Sequence, residues 1–307
     1  MKTINNTRII GIDHGFGNIK TANCCFPTGV IAYDCSPTFT RDMLVYDGRH
    51  YIIGKNHKAY NAIKLNDEDY YILTLAAIAS ELQKENLTEA AVHLAVGLPL
   101  TWLQKQKDAF RDYLMKNKEV IFQYQWTEYH ITFEGVNIFP QGFAAIAPVT
   151  SELKGLMVLA DIGNGTMNVL HLNNGKPDVQ RMYTEVFGTH QCVKAINDAI
   201  MQHFQETVPE AVIMEVLKSG KADIAKDYLK VMQKTAEDYV QEIFNHLKVH
   251  EYNPNLMKLL IAGGGGCLVK NFGKYDPKRV TIIEDICATA KGYEFLAERY
   301  YGSGVCK

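Results

Sequence analysis

The chain opens on a short apolar run, residues 8–12, which predicts a strand. Glycines follow, and residues 18–25 predict a second strand, so the pair reads as a hairpin with an open loop at its tip. Residues 43–46 and 51–53 flank an Asp47-Gly48 turn, a strong short-range hairpin signal. From 69 to 84 (DYYILTLAAIASELQK) the apolar positions recur at helical spacing. The run 91–97 (AVHLAVG) has the continuous apolar character of a buried strand, and Pro99 ends it. A helix is predicted at 102–116, then strands at 120–124 and 130–139, the latter interrupted by Gly135. The second half restarts with strands at 156–161 and 167–172 and, past an Asn174-Gly175 turn, at about 179–186. Helices are predicted at 189–205, 209–217 and 222–249. A strand at 258–262 runs into four glycines, and a short strand at 280–283 and a helix at 286–300 close the pattern.

The two halves share an outline of strand, Asp, glycine turn, strand. One reads GIDHGFGNIK from Gly11 and the other ADIGNGTMNV from Ala160. The length, 307 residues, suits two domains of about 150 residues each. An apolar share of 47% and a charged share of 21% are ordinary for a globular protein. The net charge of -2 excludes a strongly basic nucleic-acid binder, so no direct nucleic-acid contact is expected, and a role near DNA would require an adaptor. The seven cysteines, Cys24, Cys25, Cys35, Cys192, Cys267, Cys287 and Cys306, are odd in number and irregular in spacing. That is no disulfide framework and no zinc spacing, and predicts reduced thiols. No apolar stretch reaches membrane-spanning length, and the opening MKTINNTRIIGID has no signal-peptide core, so a cytoplasmic location with no membrane partner is expected.

Three segments carry chemistry. In residues 13–20 (DHGFGNIK), a strand ends in Asp13, and the glycines let backbone amides approach an anion. Lys20 returns a positive charge on the next strand. A carboxylate beside phosphate is unfavourable unless a divalent cation such as magnesium lies between them. In residues 161–166 (DIGNGT) the arrangement repeats with a Thr hydroxyl. Each turn alone also reads as an ordinary hairpin turn; two facing each other across a cleft could hold a triphosphate. In residues 259–266 (LLIAGGGG) four glycines end a buried strand, where a base or ribose can lie against bare backbone; a helix cap needs only one.

These three segments, in this order, resemble the superfamily of actin, sugar kinases and heat-shock-chaperone ATPases. Residues 11–20 look like its phosphate-1 motif, 161–166 like phosphate-2 and 259–266 like the adenosine motif. FPQGFAA at 139–145 and ATAKG at 288–292 look like its two connecting motifs. Within the superfamily the chain is most similar to the ParM/StbA group of bacterial actins. The Gly97-Leu-Pro99 turn and the compact size agree with that match. The resemblance implies an α/β fold of two actin-like, ribonuclease-H-like domains with a nucleotide cleft. The domains would be 1–140 plus 284–307 and 141–283, with a hinge near Pro140 and a second crossing near 276–284.

The resemblance also implies roles. Asp13 and Asp161 would hold magnesium through water, and Asp161 would help polarise the attacking water. Gln141 would orient that water by hydrogen bonding, since an amide is a poor base. Gly15, Phe16, Gly17, Asn18 and Lys20 would meet the β- and γ-phosphates from one side, and Gly163, Asn164, Gly165 and Thr166 from the other. Gly263, Gly264 and Gly265 would border the adenosine. The nucleotide implied is ATP, with GTP admitted because no base-reading residue is evident. Two departures bear on the hydrolysis rate: Asn168 replaces an Asp common in relatives, and His14 and Phe16 are bulkier than usual. The function implied is a filament-forming ATPase that self-associates and segregates plasmid or mobile-element DNA through a DNA-binding adaptor. A small-molecule kinase or a non-polymerising regulatory ATPase is the alternative; a chaperone ATPase would need a peptide-binding domain after the last helix. His93 reads as a satisfied core histidine, the charges of 218–226 as a solvated face with a lysine able to approach the ribose, and Tyr70, Tyr71, Tyr293, Tyr300 and Tyr301 as packing residues.

Overall fold

The computed structural model describes residues 1–37, 40–55 and 68–302. Contacts divide the chain into two units, Met1–Pro148 with Cys287–Lys307, and Val149–Ile286. The strand Thr127–Pro140 passes through Gln141 into a short helix, Phe143–Ile146, which packs on the last helix, Ala288–Gly302. That packing draws 141–148 into the first unit by contact, beyond the hinge expected at Pro140.

The first unit is built on a ten-stranded sheet among the described residues. Its order is Cys25–Pro27, Asn18–Lys20, Thr7–His14, Glu89–Leu98, Thr127–Pro140, Glu119–Tyr124, Met43–Tyr46, Arg49–Ile53 and Val30–Tyr33, with Lys2–Ile4 added beside Thr7–His14. The three central strands, Thr7–His14, Glu89–Leu98 and Thr127–Pro140, run parallel. Ile9–Ile12 and Val92–Leu98 are buried without a break, the pattern of parallel strands covered on both faces, whereas the outer part of Thr127–Pro140 alternates buried with exposed positions. Helix Glu68–Lys84 covers one face through Leu75, Ala76, Ile78 and Leu82. On the other, Ile9, Ala95 and Phe139 meet Tyr293 and Ala297 of the last helix.

Gly135 marks a register shift in Thr127–Pro140. A Cβ there would stand 3.0 Å from Nδ1 of His93. His93 itself is buried and bonds through Nε2 to Oδ1 of Asn137 at 2.8 Å; burial holds its imidazole below the usual range. Tyr70, Tyr71 and Tyr293 are core residues as expected, whereas Tyr300 is half exposed with one ring edge near Phe139.

The second unit carries a five-stranded sheet in the order Lys176–Glu185, Met167–Asn173, Leu156–Ile162, Lys258–Ala262 and Val280–Ile282, the last three parallel. Helices Thr189–Phe204 and Lys226–Val249 pack on it through Ile196, Ile200, Val240 and Ile243. Helix Lys226–Val249 begins later than the predicted residue 222, because residues 220–225 form a bend led by Gly220 at φ 77°. No helix among the described residues is long and apolar enough to cross a membrane.

Candidate functional site

In the first unit the strand Thr7–His14 delivers Asp13 to the parallel end of the sheet, where the chain turns through glycine and returns as Asn18–Lys20. The antiparallel register sets Asp13 opposite Lys20, and Lys20 Nζ lies 3.4 Å from Asp13 Oδ2. Gln141 follows the neighbouring parallel strand Thr127–Pro140. Its backbone N–H donates to Leu98 O at 2.9 Å, which fixes its place, and its Nε2 donates to Asp13 Oδ1 at 3.4 Å. Both oxygens of a nearly buried carboxylate therefore face a donor. With the Gln141 nitrogen turned to Asp13, its carbonyl oxygen is the atom left to accept from a water.

The turn is held from behind. Thr28 donates through its hydroxyl to Gly15 O at 2.7 Å and through its N–H to Gly17 O at 3.0 Å. A Cβ on Gly15 would lie 2.5 Å from Asn18 O, so only glycine fits. His14 points into the core. Its Nε2 lies 2.8 Å from Thr74 Oγ1, and that hydroxyl donates to Tyr70 O at 2.7 Å. The Thr74 oxygen is then an acceptor for His14, which places the imidazole proton on Nε2. Phe16 packs edge-on near Trp102, 6.3 Å between ring centres. The two bulky residues of the turn thus anchor it.

In the second unit Asp161 ends the strand Leu156–Ile162 opposite Asn168. Gly163 N–H closes the turn on Thr166 O at 2.8 Å. The start of helix Thr189–Phe204 grips the turn's carbonyls: Thr189 N–H reaches Gly163 O at 3.0 Å, and His190 N–H reaches Asn164 O at 2.9 Å. Gln191 Nε2 adds a 3.3 Å bond to Gly165 O, and the Thr189 hydroxyl a 3.1 Å bond to Asn164 Oδ1. Asn168 is buried and accepts from the Thr184 hydroxyl at 2.9 Å, so here the residue that is commonly Asp serves the sheet.

The glycine run differs residue by residue. Gly263 has φ 81°, and a Cβ on it would meet Ile162 O at 2.5 Å and Asp161 Oδ1 at 2.6 Å. Gly265 N–H donates to Ile162 O at 2.9 Å, and a Cβ there would strike Ile162 Cγ2 at 2.3 Å. A Cβ on Gly264 would meet nothing within 4 Å, so its backbone is open to an approaching group. The parallel register of Asp161 with Ala262 brings the second glycine turn and the glycine run together.

Beside them lies a cavity of about 260 Å³ lined by Gly263, Gly264, Lys218, Cys267, Asn271 and Glu284. It sits at the carboxyl ends of adjacent parallel strands, where α/β sheets hold ligands. Lys270 and Glu284 pair across its rim at 2.5 Å, and Asn271 Nδ2 donates to Leu217 O at 3.0 Å. Burial pushes the Cys267 thiol up from its ordinary pKa, and its S–H donates to Gly264 O at 3.0 Å.

Residues 11–143 match the family described as actin like proteins, N terminal domain. Along 95% of this chain and 99% of its own, the archaeal actin homolog Ta0583 in complex with ADP superposes with TM-score 0.73 at 21% identity. The fold is actin-like. Bacillus thuringiensis ParM with AMPPNP matches at TM-score 0.70 and 13% identity, over 96% of this chain and 100% of its own. The Alp12 filament structure matches at TM-score 0.69 and 16% identity, over 97% and 100%. No curated protein matches the sequence.

Within the actin-like fold, the structure brings together Asp13, Lys20 and Gln141 in one unit, and Asp161, Gly163 to Thr166 and Gly263 to Gly265 in the other. Cys267, Asn271 and Glu284 escaped the reading of the sequence. Their only signal is position: each follows the carboxyl end of a strand parallel to the one bearing Asp161. Among the described residues no group of three or more His, Cys, Asp or Glu could hold a metal alone. Asp13 and Asp161 each present one carboxylate beside a glycine turn, and magnesium is a cation that keeps several waters and takes one or two carboxylates together with phosphate oxygens.

Proposed function

We propose that this chain binds ATP with magnesium, hydrolyses it and assembles with other copies of itself into filaments, in the manner of the ParM group. The observation that carries the reading is the cluster at the first glycine turn: a nearly buried Asp13 carboxylate faced by Lys20 at 3.4 Å and by Gln141 at 3.4 Å. A hairpin turn needs neither the buried acid nor its donors. Lys20 would meet the phosphates, and Asp13 and Asp161 would hold the cation through water. Magnesium supplies charge neutralisation of the phosphate oxygens. Gln141 positions the attacking water, and Asp161 helps polarise it. The amides of Gly15 to Asn18 and Gly163 to Thr166 meet the phosphates, while Gly263 to Gly265 and the adjoining cavity take the adenosine. Solved relatives carrying ADP and AMPPNP, and one solved as a filament, support the nucleotide and the assembly.

The energy released would serve segregation of plasmid or mobile-element DNA in the cytoplasm. With a net charge of -2 the chain leaves the DNA itself to an adaptor. The test is sedimentation of purified protein with magnesium and ATP, ADP or no nucleotide, with phosphate release followed alongside. Pelleting with ATP that reverses as phosphate appears is the expected result. Turnover by protein that stays unassociated at every concentration would overturn the filament reading and turn attention to kinase acceptors.

A further inference from the structure

Apart from the glycine turns, the second unit holds a pocket of about 200 Å³ where helix Lys226–Val249 ends and the loop before strand Val280–Ile282 passes. Phe244, Tyr252 and Tyr275 wall it, and three cations, Lys248, Lys274 and Arg279, stand around them. None of the three forms an ion pair among the described residues. The Arg279 side chain donates to Met257 O at 3.3 Å, and its buried Nε–H has no acceptor among the described residues. The pocket's carboxylate, Asp276, accepts the backbone N–H of Lys278 through Oδ1 at 2.9 Å. Next to these residues in the chain, Val249 and Leu256 are 77% and 68% exposed. A buried guanidinium donor without an acceptor, unpaired lysines, aromatic walls and exposed aliphatic neighbours together describe a protein-binding surface.

The first unit carries a matching feature. Strands Glu119–Tyr124 and Thr127–Pro140 join through Gln125 and Trp126, both left-handed at φ 51° and 70°. Such a turn ordinarily takes Asn-Gly, and a bulky residue there is strained. Trp126 is nevertheless 68% exposed, so burial in its own chain does not offset the strain. Ile121 on the same hairpin is 58% exposed, and Glu119 and Glu128 are exposed beside it.

We propose that the Trp126 hairpin of one copy of this chain seats in the Arg279 pocket of the next. An indole is the best ring for facing cations, and Trp, Tyr and Arg dominate the energetics of protein interfaces. Glu119, and Glu128 beyond its 3.0 Å contact with His130 Nε2, supply the charge that Lys248 and Lys274 lack. Because the two surfaces differ, the contact is head-to-tail, so each copy keeps one free surface of each kind for the next. The inference rests on the self-association proposed above and assigns it a surface.

The test uses Trp126→Ala and Arg279→Glu, with Lys274→Glu as a second pocket variant in case Arg279→Glu misfolds. Each variant should bind a fluorescent ATP analogue as the wild type does, yet need at least tenfold more protein to pellet with ATP. An equal mixture of a hairpin variant and a pocket variant should give a 1:1 pair in analytical ultracentrifugation, since each supplies the surface the other lacks. Wild-type pelleting that no substitution changes, or a mixture without pairs, overturns this contact alone. Wild-type chains that never associate overturn it together with the filament reading.

Discussion

The shortest-range statement concerns Gln141, whose amide nitrogen meets Asp13 Oδ1 at 3.4 Å. If its carbonyl positions water, Gln141→Ala should slow phosphate release on the order of 100-fold, the usual scale for a positioned group in proton transfer, while nucleotide affinity changes little. Loss of binding instead would make Gln141 a structural residue. Asp161→Ala should abolish turnover and leave the circular dichroism spectrum intact; normal turnover would remove the second glycine turn from the site. The position of Asp13 and Asp161 near strand ends, just before glycine turns, was legible in the sequence because each follows an apolar run. The separate duties of Gly263, Gly264 and Gly265 were not, since only packing distinguishes a left-handed residue against Ile162 O from one that touches nothing. Glu284 and Cys267 were hidden for a different reason: parallel strands bring together residues more than a hundred positions apart from Asp161, and no local pattern encodes that.

At the scale of elements, the last helix, Ala288–Gly302, shows what close approach demands. A Cβ on Gly292 would lie 1.7 Å from Ala144 O, one on Gly11 would lie 2.1 Å from Ala290 O, and one on Gly97 would lie 1.9 Å from the Tyr293 hydroxyl. Three glycines, two in strands and one in the helix, let that helix sit against the sheet and the short helix Phe143–Ile146. Gly292→Ala gains about 1 kcal/mol of intrinsic helix propensity, but it must push two backbones apart. We expect net destabilisation of about 2 kcal/mol or more, typical of an overpacked contact, seen as a lower urea midpoint. Unchanged stability would mean the helices separate without cost. The helix itself was legible from its apolar spacing, and Gly135 as an interruption became a register shift beside His93. The strands Lys2–Ile4, Cys25–Pro27 and Val30–Tyr33 were not separately legible, being three or four residues long and too short to display an alternation.

For the molecule as a whole, stability should respond to pH through a group that joins early and late chain segments. Glu294 is buried, which pushes its carboxyl up to about 7 from an ordinary 4.5; the Met1 ammonium at 4.0 Å and the Gly11 N–H at 3.2 Å pull in the other direction. A raised acid keeps its proton longer when folded than when unfolded. Its cost is therefore absent below about pH 4.5 and grows until about pH 7. The size is on the order of 3 kcal/mol by the usual conversion. Glu294→Gln keeps an acceptor for Gly11 and removes the charge, so its melting temperature should exceed that of the wild type at pH 8 and match it more closely at pH 5. Equal melting temperatures at both would mean the carboxylate is accommodated. The two-unit layout and the order of its motifs were legible in the sequence, whereas this dependence required knowing that Glu294 faces Gly11. The same interleaving has a consequence for synthesis on the ribosome. The unit Val149–Ile286 is one uninterrupted stretch and can close on itself as soon as it emerges, but Met1–Pro148 lacks its covering helix until residues 288–302 have been translated. The half of the chain made first is the half completed last, and Ile9, Ala95 and Phe139 wait uncovered in the nascent protein throughout that delay.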